Sequence, residues 1–344
     1  MSEEQQVLAV LRTDHGMSLT EVYERTSYPK SPRTLSRLLE RLVARSLVER
    51  SGASRSTQYR LSGSYGLLRS IDVKEYFVQD IDARTIVATF NHELIRNDLL
   101  QVALFTEDEL HHLENLQQQY THNISELDRG EYLKEVERLA IDLSWKSSQI
   151  EGNTYSLLET ERLLKEKQTA SGKTKDEAVM LLNHKDAIDF IVEHPDYLAS
   201  LSTSKIENIH SLLTKELGIN RNLRRRRVGI TGTNYRPLTN EFQIREAFDA
   251  MCRLIDAKEN VFEKALLALV LISYIQGFVD GNKRTARITS NALLIAYAHC
   301  PLSFRTVDSV DYKKAMLIFY EQNNITAFKR IFIEQFQFAV NTYF

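Results

Sequence analysis

The chain has 344 residues, enough for two or three domains with proper cores, and its net charge of −2 implies no bulk affinity for nucleic acid or membrane. Two cysteines, Cys252 and Cys300, are too few for a disulfide framework or a zinc knuckle and suit a reducing compartment, so a cytoplasmic location is expected. Few prolines and glycines beside many Leu, Glu and Arg predict a mainly α protein; residues 1–6 predict no signal peptide, and the apolar run Ala265 to Ile275 is too short to span a bilayer, so no membrane partner is expected.

Residues 3–14 place Val7, Leu8, Val10 and Leu11 on one face and predict a first helix. Ser18 to Glu21 reads as a capping box that opens a second. A third begins at Ser31 with Pro32 in its first turn, and Leu35, Leu38, Leu39, Leu42 and Val43 line its inner face. Leu47 to Arg50 and Gln58 to Leu61 predict two strands around the turn at 51–56. Three helices followed by a hairpin resemble a winged helix-turn-helix domain, assigned to residues 1–65. Residues 27–62 hold eight Lys or Arg against Glu40 and Glu49. Arg33, Arg37 and Arg41 on the third helix and Arg55 in the wing are the candidate contacts to duplex DNA.

Residues 66–125 read as a helical connector. Tyr76, Phe77, Ile86, Val87 and Phe90 are candidates to pack on a neighbouring domain, and Thr106 caps a helix bearing Leu110, Leu113 and Leu116. From Gly130 a long amphipathic helix carries Leu133, Val136, Leu139, Leu143 and Ile150 and stops at Gly152-Asn153. Ser147 and Glu151, four apart, share one face. His184 and His210 lie in later helical blocks and are expected to be satisfied helix histidines. Arg224 to Arg227 are expected on a solvated face. Val228 to Leu238 alternates and turns like a β-hairpin, and residues 305–344 look like closing core helices.

The central stretch is Phe278-Val279-Asp280-Gly281-Asn282-Lys283-Arg284-Thr285-Ala286-Arg287, between an apolar run and a helix-forming one. It predicts a helix, a tight polar turn at Gly281 and a second helix. The first amides of that second helix point outward unpaired, and with Lys283, Arg284 and Arg287 they form an anion site. Asp280 on its lip is the right type of group for Mg²⁺.

This stretch resembles the signature of the Fic (Fido) family, His-x-Phe-x-Asp/Glu-Gly-Asn-Gly/Lys-Arg-x-x-Arg, with Gln276 at the position of the family's catalytic His. Ser147 to Asn153 resembles the family's inhibitory motif, Ser/Thr-x-x-x-Glu-Gly/Asn, here through Ser147, Glu151 and Gly152. The resemblance implies a helical Fic core over residues 126–344, with an inhibitory helix at about 131–152. It also implies a β-hairpin flap that aligns a target segment through Ile230, Thr231 and Gly232. The implied chemistry is adenylyltransferase activity, transfer of AMP from ATP–Mg²⁺ to a Ser, Thr or Tyr hydroxyl of a target protein. Asp280 would hold the metal, Gly281, Asn282, Lys283 and Arg284 would cradle phosphates, and Arg287 would meet the γ-phosphate or pair with Glu151. Gln276 cannot take a proton in the neutral pH range. Three readings follow: a slow or unusual nucleotidyl transferase, a silent nucleotide-sensing DNA-binding regulator, or a site for another phosphate-bearing ligand. A homodimer is a candidate assembly.

Overall fold

The computed structural model describes residues 3–11 and 16–344, without the side chain of Arg55. Helices α1 (Glu3–Val10), α2 (Leu19–Thr26) and α3 (Pro32–Ala44) precede an antiparallel pair, β1 (Val48–Ser51) and β2 (Gln58–Leu61), in which Val48 faces Leu61. The predicted first helix stops at Val10, and residues 12–14 lie outside the described ones. Ser18 accepts a hydrogen bond from the Glu21 amide, and Glu21 answers the Ser18 amide, so two orphan donors are satisfied at the start of α2. Met17 bridges to Tyr59 and adds a third short edge beside the hairpin. Val7, Val22, Leu35, Leu39, Leu42 and Tyr59 close a small core of their own.

The rest of the chain is helical and has a second, larger core. Its main elements are α4 (Glu107–Ser125), α5 (Arg129–Ile150), α6 (Leu157–Glu166), α7 (Lys175–Glu193) and α8 (Thr203–Leu213), followed by α9 (Glu241–Ala257), α10 (Val261–Ile275), α11 (Asn282–Ala296), α12 (Ser309–Gln322) and α13 (Thr326–Tyr343). Every residue of α10 from Phe262 to Ile275 is buried, which makes it the central helix, and α11 returns beside it. The second half of α5 is also buried on nearly all sides. Leu133, expected inside, is instead half exposed near the start of α5, before the helix enters the core. No helix among the described residues is long and apolar enough to cross a membrane.

The two cores do not merge. A cleft of about 1660 Å³ lies between α1 on one side and α12 and α13 on the other. The segment from Gly66 to Phe90 crosses from one core to the other and is fastened down by polar groups at the end of α12. The Asn324 side chain donates to the carbonyls of Gly66 and Arg69, and the Ile325 amide donates to Leu67. Arg84 and Glu321 form an ion pair of 3.0 Å, with side chains 9% and 1% exposed. The Tyr76 hydroxyl donates to the same carboxylate at 2.6 Å. Phe90 stacks on Tyr274 of α10. Val87, expected to pack, leaves its side chain exposed; its amide instead donates to the Glu321 carbonyl.

Removing one partner of a buried pair leaves the other charge without compensation, a loss of about 3–5 kcal/mol, whereas an exposed pair contributes about 0–1 kcal/mol. Arg84→Ala is therefore expected to lower the urea midpoint, followed by the fluorescence of the single tryptophan, Trp145, far more than Arg96→Ala, which breaks the exposed Arg96–Glu246 pair. Equal shifts would contradict this placement of the linker.

Candidate phosphate cradle and its restraint

Helix α10 ends at Gln276, whose backbone lies in the left-handed region (φ 53°), a conformation that disfavours side chains other than Gly and Asn. Five residues later Gly281 (φ 80°) opens α11. A Cβ there would be strained in backbone and would press on the His210 ring and Thr214 at 3.4 Å, so glycine is required. The loop between is stapled by Asn282, whose Oδ1 accepts from the Phe278 amide at 2.9 Å while Nδ2 donates to the Phe278 carbonyl at 2.8 Å. Asn282 thus spends its side chain on loop shape, and only its amide remains for an anion. The same Nδ2 donates to Gln276 Oε1 at 3.2 Å, and Gln276 Nε2 donates to the Ser273 carbonyl at 2.7 Å. Both ends of the Gln276 amide are engaged, and the residue is 9% exposed.

The first turn of α11 presents amides with no intrahelical partner. Around it stand Lys283, Arg284 and Arg287. Arg284 and Arg287 are 1% and 0% exposed; Arg284 Nε has no hydrogen-bond partner among the described residues, and Arg287 lies over the ring of the buried Tyr312, which also interacts with its guanidinium. Buried, unpaired guanidinium N–H groups are costly, and an anion is the group that would satisfy them. Asp280 is the exposed member: Oδ1 accepts from the Gly281 amide at 2.6 Å, and Oδ2 pairs with Arg284 at 3.0 Å. No cluster of three His, Cys, Asp or Glu suited to a metal exists among the described residues. A cation at Asp280 would therefore need most of its ligands from phosphate and water, which is how Mg²⁺ is commonly held.

Glu151 reaches this group from the end of α5. Its Oε1 lies 3.1 Å from Arg287 Nη2 and its Oε2 3.1 Å from Lys283 Nζ. Burial alone would raise its pKa; Arg287 and Lys283 outweigh burial and hold it at about 2. The helix stops there in a Schellman arrangement: the Asn153 amide donates to Ser148, the Gly152 amide donates to Gln149, and Gly152 takes φ 101°. Ser147, one turn before Glu151, touches the same arginine: Arg287 Nε donates to its hydroxyl at 2.7 Å and Nη2 to its carbonyl at 3.0 Å.

The segment 228–238 differs from expectation. It turns at Thr231-Gly232 but forms no hairpin ladder, and the only strand pair among the described residues is β1–β2. Its bonds run to the linker instead. The Arg236 amide donates to Ala88, Asn234 donates to Asp82, and Arg84 donates to the Gly232 carbonyl. Ile230 packs partly on the core, while Thr231 and Gly232 are exposed. Arg224, expected on a solvated face, is 2% exposed and donates to the carbonyls of Gln276, Arg226 and Leu238; Arg225, Arg226 and Arg227 are exposed as expected.

On the other domain Arg33, Arg37 and Arg41 fall on the exposed face of α3, opposite its leucines. Lys30, Arg45 and Arg60 are held by Glu3, Glu4 and Glu49, which leaves the α3 arginines with no ion pair among the described residues. The side chain of Arg55 lies outside them.

Residues 200–294, the stretch that holds the cradle, match the model of the Fic/DOC family. Residues 200–294 are a Fic/DOC domain. Fic-1 of C. elegans superposes with a TM-score of 0.57 at 19% identity, over 69% of this chain and 72% of that one. A Fic-domain-containing signalling protein from Bacteroides thetaiotaomicron gives 0.57 at 16% identity, over 67% and 94%. A Fic family protein from Desulfovibrio desulfuricans gives 0.56 at 18% identity, over 68% and 72%. At these identities the likeness is one of fold. Residues 2–119 match the penicillinase repressor model, so a winged-helix repressor domain precedes the Fic domain.

The two histidines are buried in helices, as expected, and both lie beside the cradle. His210 stacks flat on Phe278 at 3.8 Å and its Nε2 donates to the Asp280 carbonyl at 2.9 Å. His184 lies against Ser147. Neither has a local signal; each is linked to the site by packing across 37 residues or more.

Because the folded pKa of Glu151 is depressed, its contribution to stability is present above the ordinary carboxylate range and lost as pH falls toward about 2. The stability difference between the native chain and Glu151→Gln, from urea melts, is expected to be constant at roughly 3 kcal/mol from pH 5 to 8 and to shrink below about pH 4. A difference that varied with pH between 5 and 8 would show that another group titrates in its place.

Proposed function

We propose that this chain is a nucleotide-responsive, DNA-binding regulator. Its Fic domain takes ATP with Mg²⁺ under restraint by Glu151, and AMP transfer by it is weak because position 276 supplies no base. The observation that carries this reading is the pair of buried arginines beside the first turn of α11, Arg284 with an unpartnered Nε, each paired with a carboxylate at the edge of the site, Arg284 with Asp280 and Arg287 with Glu151. ATP fits that set: the amides of residues 282–284 and Arg284 would hold the inner phosphates, and Arg287 the terminal one. Asp280 would hold the metal, which when bound neutralises phosphate charge. Glu151 competes with the terminal phosphate for Arg287.

Transfer would need a target hydroxyl oxygen to bond to the α-phosphorus while pyrophosphate leaves and the hydroxyl proton passes to an acceptor. Gln276 accepts hydrogen bonds but not that proton. Loss of a general base typically costs about 10²–10⁴-fold in rate. The remainder of the signature favours a second reading, a slow protein adenylyltransferase that acts on a Ser, Thr or Tyr hydroxyl. The unpaired arginines on α3 support duplex DNA as the partner of the winged helix.

Titration calorimetry with ATP–Mg²⁺ and with AMP tests the cradle. Glu151→Gly is expected to tighten ATP by about tenfold or more and AMP little, as befits a freed charge-assisted contact; no binding of any nucleotide at millimolar concentration would remove the proposal. Labelled ATP then separates the two readings. Glu151→Gly with Gln276→His is expected to gain self-modification of about 10²–10⁴-fold over the native chain, whereas strong labelling of the native chain would favour the transferase.

For the winged helix, Arg33→Ala with Arg37→Ala is expected to weaken duplex binding in gel shifts and to reduce the salt slope by about two. No retention of native protein on genomic fragments at low salt would overturn DNA binding.

A further inference from the structure

Beneath Arg287 lies a histidine that the proposed function leaves unused. His184, on α7, is fully buried, and its Nε2 is 2.6 Å from the Ser147 hydroxyl. That hydroxyl oxygen is also 2.7 Å from Arg287 Nε. A guanidinium nitrogen only donates, so Ser147 must accept from Arg287. The single hydroxyl proton is then free to point the other way, toward His184. In that arrangement Nε2 is the lone-pair nitrogen and the proton of the neutral ring sits on Nδ1, which has no side-chain partner among the described residues. Burial first, then the charges of Arg287 and Arg284, push the His184 pKa well below its ordinary value, so the ring stays neutral.

We propose that His184 is a positioning residue for Arg287: by accepting the Ser147 proton it turns the hydroxyl oxygen toward Arg287 Nε and fixes the plane of the guanidinium. Three helices meet in this chain, His184 from α7, Ser147 and Glu151 from α5, and Arg287 from α11. The Ser147 hydroxyl and carbonyl hold two nitrogens of the guanidinium, and Glu151 shares one of them. Without an acceptor at 184 the hydroxyl hydrogen loses its side-chain partner and is free to turn toward the α5 backbone or into the Arg287 Nε–H, which weakens the contact or replaces an attraction with a repulsion. The guanidinium would then be held by the Ser147 carbonyl, Glu151 and the Tyr312 ring, and once Glu151 is removed, or displaced by phosphate, its plane would be less firmly set. His184 thus governs how well Arg287 can discriminate a terminal phosphate. This consequence rests on the phosphate-cradle reading; the hydrogen-bond chain does not.

The experiment uses the full chain with two variants, His184→Phe, which keeps the ring and removes the acceptor, and His184→Gln, which restores an acceptor near the place of Nε2. Nitrogen-15 NMR of the native chain is expected to show a protonated Nδ1 and a bare Nε2 on His184. It is also expected to show an Arg287 Nε–H that exchanges slowly in the native and His184→Gln proteins and at least tenfold faster in His184→Phe. A protonated Nε2, or equal exchange in all three proteins, would overturn the proposal whether or not nucleotide binds. In the Glu151→Gly background, calorimetry is expected to show His184→Phe weakening ATP roughly tenfold, about one hydrogen bond to a charged group, with AMP unchanged and His184→Gln restoring most of the loss. ATP and AMP weakened alike would mean a structural role only and would also overturn it. Absence of all nucleotide binding in Glu151→Gly itself would count against the cradle and leave the NMR result to decide the role of His184.

Discussion

A carboxylate at the carboxy-terminal end of a helix sits against the negative pole of the backbone dipoles, where a cation would normally be preferred. Glu151 occupies that place at the end of α5, largely removed from water, and is tenable only because Arg287 and Lys283 meet its two oxygens. The same holds in reverse. Two cations side by side at the start of α11, where the dipoles add further positive charge, need an anion. Each side therefore makes the other stable, and the pair clamps the end of α5 to the start of α11. Local propensity is broken at both helix ends, and such breaks concentrate where a site has to accept a ligand. A phosphate arriving at Arg287 would relieve the cationic side, but only by displacing Glu151, whose charge would then need water or Lys283 alone.

The other constraint is mechanical. The segment 82–89 lies in the connection from the winged helix and runs beside residues 232–236. Arg84 holds the Gly232 carbonyl with the same guanidinium that pairs with buried Glu321, and Arg236 donates to Ala88. A shift in the linker must therefore move the 232–236 backbone or break a buried ion pair. Arg224 extends the linkage from the other end, because its side chain spans Gln276 and Leu238. In the proposed reading this is the physical route by which occupancy of the cradle and the state of the DNA-binding domain could bear on each other, through two buried arginines rather than through a shared apolar core.

Much of this was legible where the determinants are local. Ser18, Thr106 and Ser31 with Pro32 mark helix starts by side-chain bonds made within four residues. The uniformly apolar run of α10 could only be a central helix. Ser147 and Glu151, four residues apart, do reach one arginine together. The misses are long-range. Alternation in 228–238 signalled a hairpin that does not form: Gly229, Gly232 and Pro237 offer little to a ladder, and the bonds go to residues 84–89, which no local pattern reveals. Arg224 was indistinguishable from its three exposed neighbours until the carbonyls it bonds were brought together by folding. Asn282 was expected to cradle phosphate, yet its side chain closes the loop on itself.

In the proposed reading, Gln276 would separate binding from transfer at one position. Its amide donates to the Ser273 carbonyl and accepts from Asn282, one donor and one acceptor at opposite ends of a planar group. A neutral imidazole also offers one donor and one acceptor. Glutamine can therefore stand in for the hydrogen-bonding part of a histidine while lacking its basicity. The loop keeps its shape, because Asn282 and Gly281 impose it, and the cradle keeps its donors, because none of them comes from residue 276. What is lost is a proton acceptor alone. If the cradle binds as proposed, the chain retains the groups that would hold a triphosphate and the carboxylate that would restrain it, without the base that would drive turnover, and that combination suits a site whose output is occupancy.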